Sequence, residues 1–263
     1  MDLQAVIRER RSVRTFVDKP LSSTDFSELD NMCLTVQCPF GGKARLFLRR
    51  FETKGAQRPG TYGTISGCSS YFIVASAGDT LSVLNAGFRM ENIVLRATDA
   101  GLGTCWLGGT FRRSDFDVVD LPAGMEIIAI VAVGYPAGRK RLLERLTGMM
   151  AHSGSRKPFD SMFFDSDWSR PMAEDSVFGR ALALMRLAPS SLNSQPWRAL
   201  ASGNEISFYS SDGSRMHFLD CGIGLQHFAA GMCLQGIKGR FEVMNPDSGD
   251  GRFRYLISFI REN

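Results

Sequence analysis

The sequence lacks the signatures of a metal site, a disulfide framework and a membrane span. Its three histidines lie far apart, and no thiols or carboxylates stand near them at metal-ligand spacing. The six cysteines form no Cys-x-x-Cys pair, so we expect reduced thiols. The longest apolar run, Ile127 to Val133, is too short to cross a bilayer, and no apolar h-region follows the first residues. We therefore expect a metal-independent cytoplasmic protein.

Excess positive charge is modest, but it is concentrated. The net charge is +4 over 263 residues, and basic residues cluster at 8–14 and 139–145. Such clusters are typical of solvated surfaces, and also of nucleic-acid sites. These two are short and lack interleaved aromatic residues for base stacking, so we expect no nucleic-acid partner. A phosphate group on a small ligand fits their size better.

The most informative segment is a polar turn, Ala188 to Arg198, which reads Ala-Pro-Ser-Ser-Leu-Asn-Ser-Gln-Pro-Trp-Arg. Apolar residues recur at helical spacing from Phe178 to Met185, so the pattern predicts a helix that ends before Pro189. A strand is predicted around Ile206 to Tyr209. The hydroxyls and amides of the turn suit a polyhydroxylated or carbonyl-rich ligand, although an ordinary helix-to-strand loop has a similar composition.

Three further segments complete the pattern: Arg8-Glu-Arg-Arg-Ser-Val-Arg-Thr-Phe16, Gly101-Leu-Gly-Thr-Cys-Trp-Leu-Gly-Gly109, and Leu121 to Pro136 with basic residues just beyond it. Together with the turn they resemble the nitroreductase family of FMN-dependent oxidoreductases. Members of that family open with Arg-Arg-Ser-x-Arg-x-Phe and carry an Ala-Pro-Ser-Ser-x-Asn-x-Gln-Pro-Trp turn. The resemblance implies an α+β fold of antiparallel or mixed sheets flanked by helices.

The sequence also contains an internal repeat. At one constant offset of 135, Gly87 matches Gly222 and Gly101 matches Gly236. Each matched segment predicts a long, mostly apolar helix that ends at a glycine and is followed by a strand. The first half carries extra residues, which we assign to a long loop over Thr53 to Ser70. Helix and strand alternation in any α/β protein produces some self-similarity by chance, and that explanation stays open.

We predict two nitroreductase-like halves, residues 1–150 and 151–263, related by a pseudo-twofold axis. Family members are typically homodimers with flavins at the subunit interface, and the chain resembles a branch in which one chain imitates the dimer. The arginine segment occurs only in the first half and the serine-rich turn only in the second. Their counterparts, Ser155 to Phe159 and Val36 to Gly41, lack these residues. We expect one flavin site per chain and a monomer, with further self-association left open.

The resemblance assigns cofactor contacts residue by residue. A buried phosphate dianion needs charge-assisted donors, and either Arg10 or Arg11 supplies one. Ser12 faces phosphate or ribityl oxygens, and Arg14 points at the pyrimidine edge of the flavin, where a cation raises the cofactor's potential. The remaining cofactor-binding residues implied are Leu107, Gly108, Gly109, Arg139, Arg141, Pro189, Ser190, Ser191 and Asn193.

The reaction implied by the resemblance alternates two transfers. NADH or NADPH reduces FMN and leaves, and a small-molecule acceptor such as a nitroaromatic or quinone takes the electrons. No catalytic side chain is predicted, and we expect Cys105 and Trp197 to be packing residues. Two alternatives stay open: a non-catalytic flavin-binding, storage or sensor protein, and a dehydrogenase or dehalogenase of the same fold with a specialised substrate.

Overall fold

The computed structural model describes residues 2–55, 58–138, 154–244 and 251–262. Two β-sheets lie within these ranges, and the first is entirely antiparallel. Its strand order is β1-β2-β4-β3. The strands are β1 (Ala44–Arg50), β2 (Ser70–Ala77), β3 (Gly103–Leu107) and β4 (Met125–Gly134).

The second sheet repeats this order and adds one strand. Its order is β5-β6-β7-β9-β8, so β6, β7, β9 and β8 follow one another as β1, β2, β4 and β3 do. The additional strand β5 pairs with β6 in parallel, which makes this sheet mixed. The strands are β5 (Phe163–Asp165), β6 (Trp197–Ser202), β7 (Glu205–Ser210), β8 (Gly239–Glu242) and β9 (Arg254–Arg261).

Five α-helices accompany the sheets in the described ranges: α1 (Leu3–Glu9), α2 (Ser23–Thr35), α3 (Thr80–Asp99), α4 (Val177–Met185) and α5 (Arg215–Leu234). Helices α3 and α5 each have 20 residues, and most of their side chains are buried. A helix that is buried on most sides belongs in the centre of a fold. The first residues of these helices, 80 and 215, are 135 apart, which is the offset found in the sequence.

Helices α3 and α5 contact each other at a pair of glycines. A Cβ on Gly87 would overlap the carbonyl oxygen of Leu219, and a Cβ on Gly222 would overlap that of Leu84. Residues 84 and 219 are again 135 apart, so the contact is reciprocal, as in an interface with twofold symmetry. The glycines therefore let the two backbones approach closely. A gene duplication as the origin of the two halves stays a prediction.

The predicted fold class, helices around antiparallel and mixed sheets, is confirmed. The helix expected before Pro189 is α4, and the strand expected around Ile206 to Tyr209 is β7. The predicted glycine stops are also confirmed, because Gly101 and Gly236 follow α3 and α5 with φ of 75° and 68°. Strand β5 has three residues and was not predicted. Among the described helices, none has the length and apolar character that a membrane span requires.

Helix α1 connects the first half to the second. Its buried residues Val6 and Ile7 pack against Leu184 of α4 and Ala230 of α5. Apolar contact of this kind fixes the position of a seven-residue helix that would not be stable alone. It also brings Arg10, which caps the end of α1, next to the second half.

Candidate functional site

Arg10 is a buried cation. Its side chain is 7% exposed, and Nε, which has no hydrogen-bond partner among the described residues, lies 4.0 Å from Oε1 of Glu91. Burial lowers the pKa of Arg10, and the charge of Glu91 opposes that effect. Arg11 is exposed, so burial favours Arg10 over Arg11 as the predicted phosphate ligand. An anion would complete the hydrogen bonding of such a guanidinium.

The segment after Arg10 is extended along the edge of β3. Ser12 forms a parallel bridge with Thr104, and the backbone N–H of Val13 donates to the Thr104 carbonyl at 2.8 Å. The side chain of Val13 packs against Gly103. Because side chains alternate along an extended segment, Ser12 and Arg14 point to the opposite face from Val13. Both are half-buried.

The predicted polar turn lies between α4 and β6, and three of its non-glycine residues have left-handed backbones. The φ angles are 50° at Leu192, 56° at Asn193 and 44° at Gln195. Each such residue costs about 1–2 kcal/mol. The side chain of Leu192 is 88% exposed, so no packing compensates there. Strain of this kind concentrates at functional sites. As predicted, Trp197 is fully buried behind the turn.

Asp220 of α5 supports the turn from inside. Its two carboxylate oxygens accept from the backbone N–H of Ser191 at 3.0 and 3.1 Å, and Ser194 Oγ donates to it at 3.4 Å. Burial raises the pKa of Asp220 to about 8. The carboxyl group therefore keeps its proton at neutral pH in the folded protein. Sequence reasoning missed Asp220, although an acid within the apolar helix α5 was visible.

Arg156 supports the turn from the second half. It donates to the Leu187 carbonyl at 3.2 Å and to Asn193 Oδ1 at 3.4 Å, so it contacts the residue before the turn and the middle of the turn. Burial, and then the charge of Arg10, lowers the pKa of Arg156. Arg156 thus contacts Asn193 and interacts electrostatically with Arg10 of the first half. The sequence offered only a lone arginine outside the family motif, so Arg156 was not predicted.

Other predicted ligands in the turn take part in its internal hydrogen bonds. Ser190 Oγ accepts from the backbone N–H of Gln195 at 2.9 Å. The side-chain amide of Asn193 donates to the Ser155 carbonyl at 3.0 Å. Ser191 is exposed and Pro189 is half-buried. Ser190 and Asn193 therefore stabilise the turn itself, and Arg156 interacts with both this turn and Arg10.

The predicted glycine segment after β3 also lies beside the second half. Leu107 is buried, as is the neighbouring Cys105, which agrees with a packing role. A Cβ on Gly108 would overlap the side chain of Met216 in α5. At Gly109, no described atom lies within 4 Å of an ideal Cβ position, so this side is open. Two further predicted ligands lie outside the described residues: Arg139 and Arg141.

A buried polar network lies on the other side of Arg10. Glu91 accepts from Trp106 Nε1 at 2.8 Å through Oε2, and its Oε1 lies 2.9 Å from Nε2 of His227. Nδ1 of His227 lies 3.3 Å from the Leu184 carbonyl. Sequence reasoning missed this network; the available signal was an ionisable residue inside each apolar helix. Within the described ranges, no group of three or more acidic, cysteine and histidine side chains is placed to hold a metal.

Comparison with known proteins identifies the family. The family model described as "Putative TM nitroreductase" matches residues 2–232. The chain belongs to this family. This match confirms the resemblance found in the sequence. Membership of the nitroreductase family gives the chain a general oxidoreductase role.

Two relatives show how the match is distributed. The crystal structure of a "putative nitroreductase" from Thermotoga maritima has a TM-score of 0.62 and 20% identity, covering 99% of this chain and 94% of that one. At this identity the likeness shows the fold. An Archaeoglobus fulgidus protein named "Putative NADH dehydrogenase/NAD(P)H nitroreductase" is 26% identical over 155 residues, covering 53% of this chain and 88% of its own length. Most of that relative corresponds to about half of this chain.

Proposed function

We propose that this nitroreductase-family chain is an FMN-dependent NAD(P)H oxidoreductase with one flavin site between its two halves. The observation that carries the proposal is the buried Nε–H of Arg10, which interacts electrostatically with Arg156, a residue that contacts the strained turn of the other half. A buried donor without an acceptor costs about 1–3 kcal/mol, and a phosphate group removes that cost. The donor set therefore fits the phosphate end of FMN.

Residues from both halves would hold the cofactor. Arg10 would donate to the phosphate, and Arg156 would add positive charge from the second half. Ser12 would donate from the face of the extended segment that it shares with Arg14, the predicted partner of the pyrimidine edge. Further predicted contacts are Leu107, Gly108, Gly109, Arg139, Arg141, Pro189, Ser190, Ser191 and Asn193.

Bound FMN would supply the chemistry, taking a hydride from NAD(P)H and passing electrons to a nitroaromatic, a quinone or a similar acceptor. NAD(P)H as donor is supported by the name of the Archaeoglobus fulgidus relative. The chain itself would bind FMN and orient it. Asp220 keeps the strained turn in place, and the open side of Gly109 leaves room beside the backbone. No side chain is assigned a proton-transfer role.

We also propose that the two halves arose by duplication and act as the two subunits of a typical family dimer. The equal strand order and the reciprocal contact of Gly87 and Gly222 support this. The proposal predicts one FMN per chain and a mass of 29.0 kDa in solution. Light scattering after gel filtration, combined with flavin quantitation, tests it. Two flavins per chain, or binding only in a dimer, would contradict it. A cytoplasmic location stays a prediction.

The activity test is a visible absorption spectrum of protein that has been incubated with FMN and desalted. NADPH and then NADH are added without oxygen. Retained yellow flavin that bleaches supports the oxidoreductase. Flavin that is retained but stays oxidised supports a non-catalytic flavin-binding, storage or sensor protein instead. A colourless desalted protein contradicts the cofactor assignment, and with it the proposed function.

A further inference from the structure

Glu91 and His227 join the two long helices through a buried polar contact. Glu91 lies on α3 and His227 on α5, and both side chains have 0% exposure. Their 2.9 Å contact connects one half of the chain with the other. Buried polar groups of this kind are costly unless their protons and lone pairs are matched.

Counting protons defines the state of the pair. Both ring nitrogens of His227 face oxygen atoms, Nδ1 the Leu184 carbonyl and Nε2 the Glu91 carboxyl group, so each contact requires a hydrogen between the two atoms. Trp106 donates to the other carboxyl oxygen of Glu91. Whichever partner carries the hydrogen shared by Nε2 and Oε1, the pair as a whole has no net charge.

The neutral pair leaves the positive charge of Arg10 uncompensated. The 4.0 Å separation between Arg10 Nε and Glu91 Oε1 is too long for a hydrogen bond. Because the pair of Glu91 and His227 has no net charge, the positive charge of Arg10 is not cancelled. Without His227, the Glu91 carboxylate would pair with Arg10 and compete with any anion bound there.

We propose that His227 is a positioning residue, which holds the Glu91 carboxyl group and so keeps the charge of Arg10 free for the phosphate of a flavin nucleotide; this inference rests on the proposed function. The groups that face the pair come from three elements. Arg10 comes from the end of α1, Trp106 from β3 and the Leu184 carbonyl from α4. Arg156, from the segment before β5, interacts electrostatically with Arg10.

The test uses single variants with opposite expected effects on the dissociation constant for FMN, measured by fluorescence quenching. His227→Gln keeps a donor to Glu91 but removes the group that balances its charge, so FMN binding should weaken about tenfold. Glu91→Gln removes the competing carboxylate, so binding should stay equal or become tighter. The double variant should recover the affinity that His227→Gln loses. Glu126→Gln, at an exposed ion pair with Arg215, is the matched control for net charge.

A merely structural role gives a different pattern. In that case both single variants weaken binding and the double variant is weaker still, which overturns the proposal. Equal affinity in all variants overturns it as well. Riboflavin lacks the phosphate, so its affinity should not respond to His227→Gln. Arg10→Ala distinguishes a failure of the proposed function from a failure of this inference. If this variant binds FMN like the wild type, the proposed function itself fails, independently of Glu91 and His227.

A measurement on the wild type avoids any question of variant folding. Nitrogen NMR of protein labelled at its three histidines reports the ring protonation of each. The contacts predict one hydrogen at each ring nitrogen contact of His227, on Nδ1 towards the Leu184 carbonyl and between Nε2 and Glu91. A ring without a hydrogen on Nδ1 overturns the proposal.

Discussion

The turns that follow α2 and α4 occupy corresponding places in the two halves but are stabilised in opposite ways. After α2, Arg89 of α3 donates to the carbonyls of Cys33 and Val36 at 3.0 and 2.7 Å. After α4, Asp220 of α5 instead accepts from the backbone N–H of Ser191. The first turn therefore directs carbonyl groups at its supporting helix, whereas the second directs an amide.

One pair of residues shows the difference directly. Asn85 and Asp220 are 135 positions apart, and both contact the turn of their own half. Asn85 donates to the Gly41 carbonyl at 3.3 Å, whereas Asp220 accepts from the backbone N–H of Ser191 at 3.0 Å. A change from amide to acid thus accompanies a change in the direction of the hydrogen bonds. The loss of the paired serines in the first half is therefore part of a different turn structure.

The largest expected effect concerns the pH dependence of stability. Burial raises the pKa of Asp220 to about 8, so the folded state retains a proton that the unfolded chain releases near pH 4. Its contribution is complete below pH 4 and is lost as pH rises through about 8, with a limiting slope of about 1.4 kcal/mol per pH unit. Asp220→Asn should remove this slope and be more stable than wild type at pH 8, as measured by urea unfolding.

The reciprocal variant sharpens this comparison. Asn85→Asp places an acid against the carbonyls of Gly41 and Gly42, so it should introduce a loss of stability with rising pH in the first half. If Asp220→Asn keeps the wild-type slope, the burial of Asp220 does not control the pH dependence, and the contrast between the two turns loses its electrostatic basis.

At the contact between α3 and α5, equivalent substitutions in the two halves should have equal effects on stability. In an open helix, Gly→Ala gains about 1 kcal/mol. At Gly87 and Gly222 the added Cβ overlaps backbone, so each substitution should cost about 3 kcal/mol in the free energy of unfolding. Gly41→Ala, where no described atom lies within 4 Å of the Cβ, is the matched control. Costs that differ strongly between the two sites would argue against a reciprocal contact.

FMN affinity tests the difference between Arg10, which is buried, and Arg11, which is exposed. A hydrogen bond to a charged group is worth about 1.5–3 kcal/mol, so Arg10→Ala should weaken FMN binding about 10- to 100-fold. Arg11→Ala, its exposed neighbour, should change the dissociation constant less than twofold because surface charges are screened. Equal losses in the two variants would mean that general positive charge, and not the buried position, retains the cofactor.

Much of this architecture was visible in the sequence because it depends on local patterns. The glycine stops at Gly101 and Gly236, the helix before Pro189 and the strand β7 follow from periodicity and backbone chemistry. The repeat at one offset also matched the equal lengths of α3 and α5. The short strand β5 has only three residues, too few for a periodic signal, and its pairing depends on distant contacts.

The site was predicted only where a family motif names a residue. Asp220, Arg156 and the pair of Glu91 with His227 lie outside the motifs, and their importance depends on burial and on partners more than 25 residues away in the chain. An ionisable residue within an apolar helix was the one signal present. Its partner, and therefore its role, is determined by tertiary packing.

The smallest expected effect concerns strain in the polar turn. Leu192 has a φ of 50° and an 88% exposed side chain, so Leu192→Gly removes the left-handed penalty without removing packing. Replacement by glycine should raise the free energy of unfolding, because it removes the left-handed penalty. The gain should be only about 0.5–1 kcal/mol, because the greater entropy of glycine in the unfolded chain offsets part of it. Val118→Gly, exposed but without a positive φ, should lower stability instead. Equal losses in both variants would mean that the turn is not strained at Leu192, and that its left-handed residues do not distinguish the second half from the first.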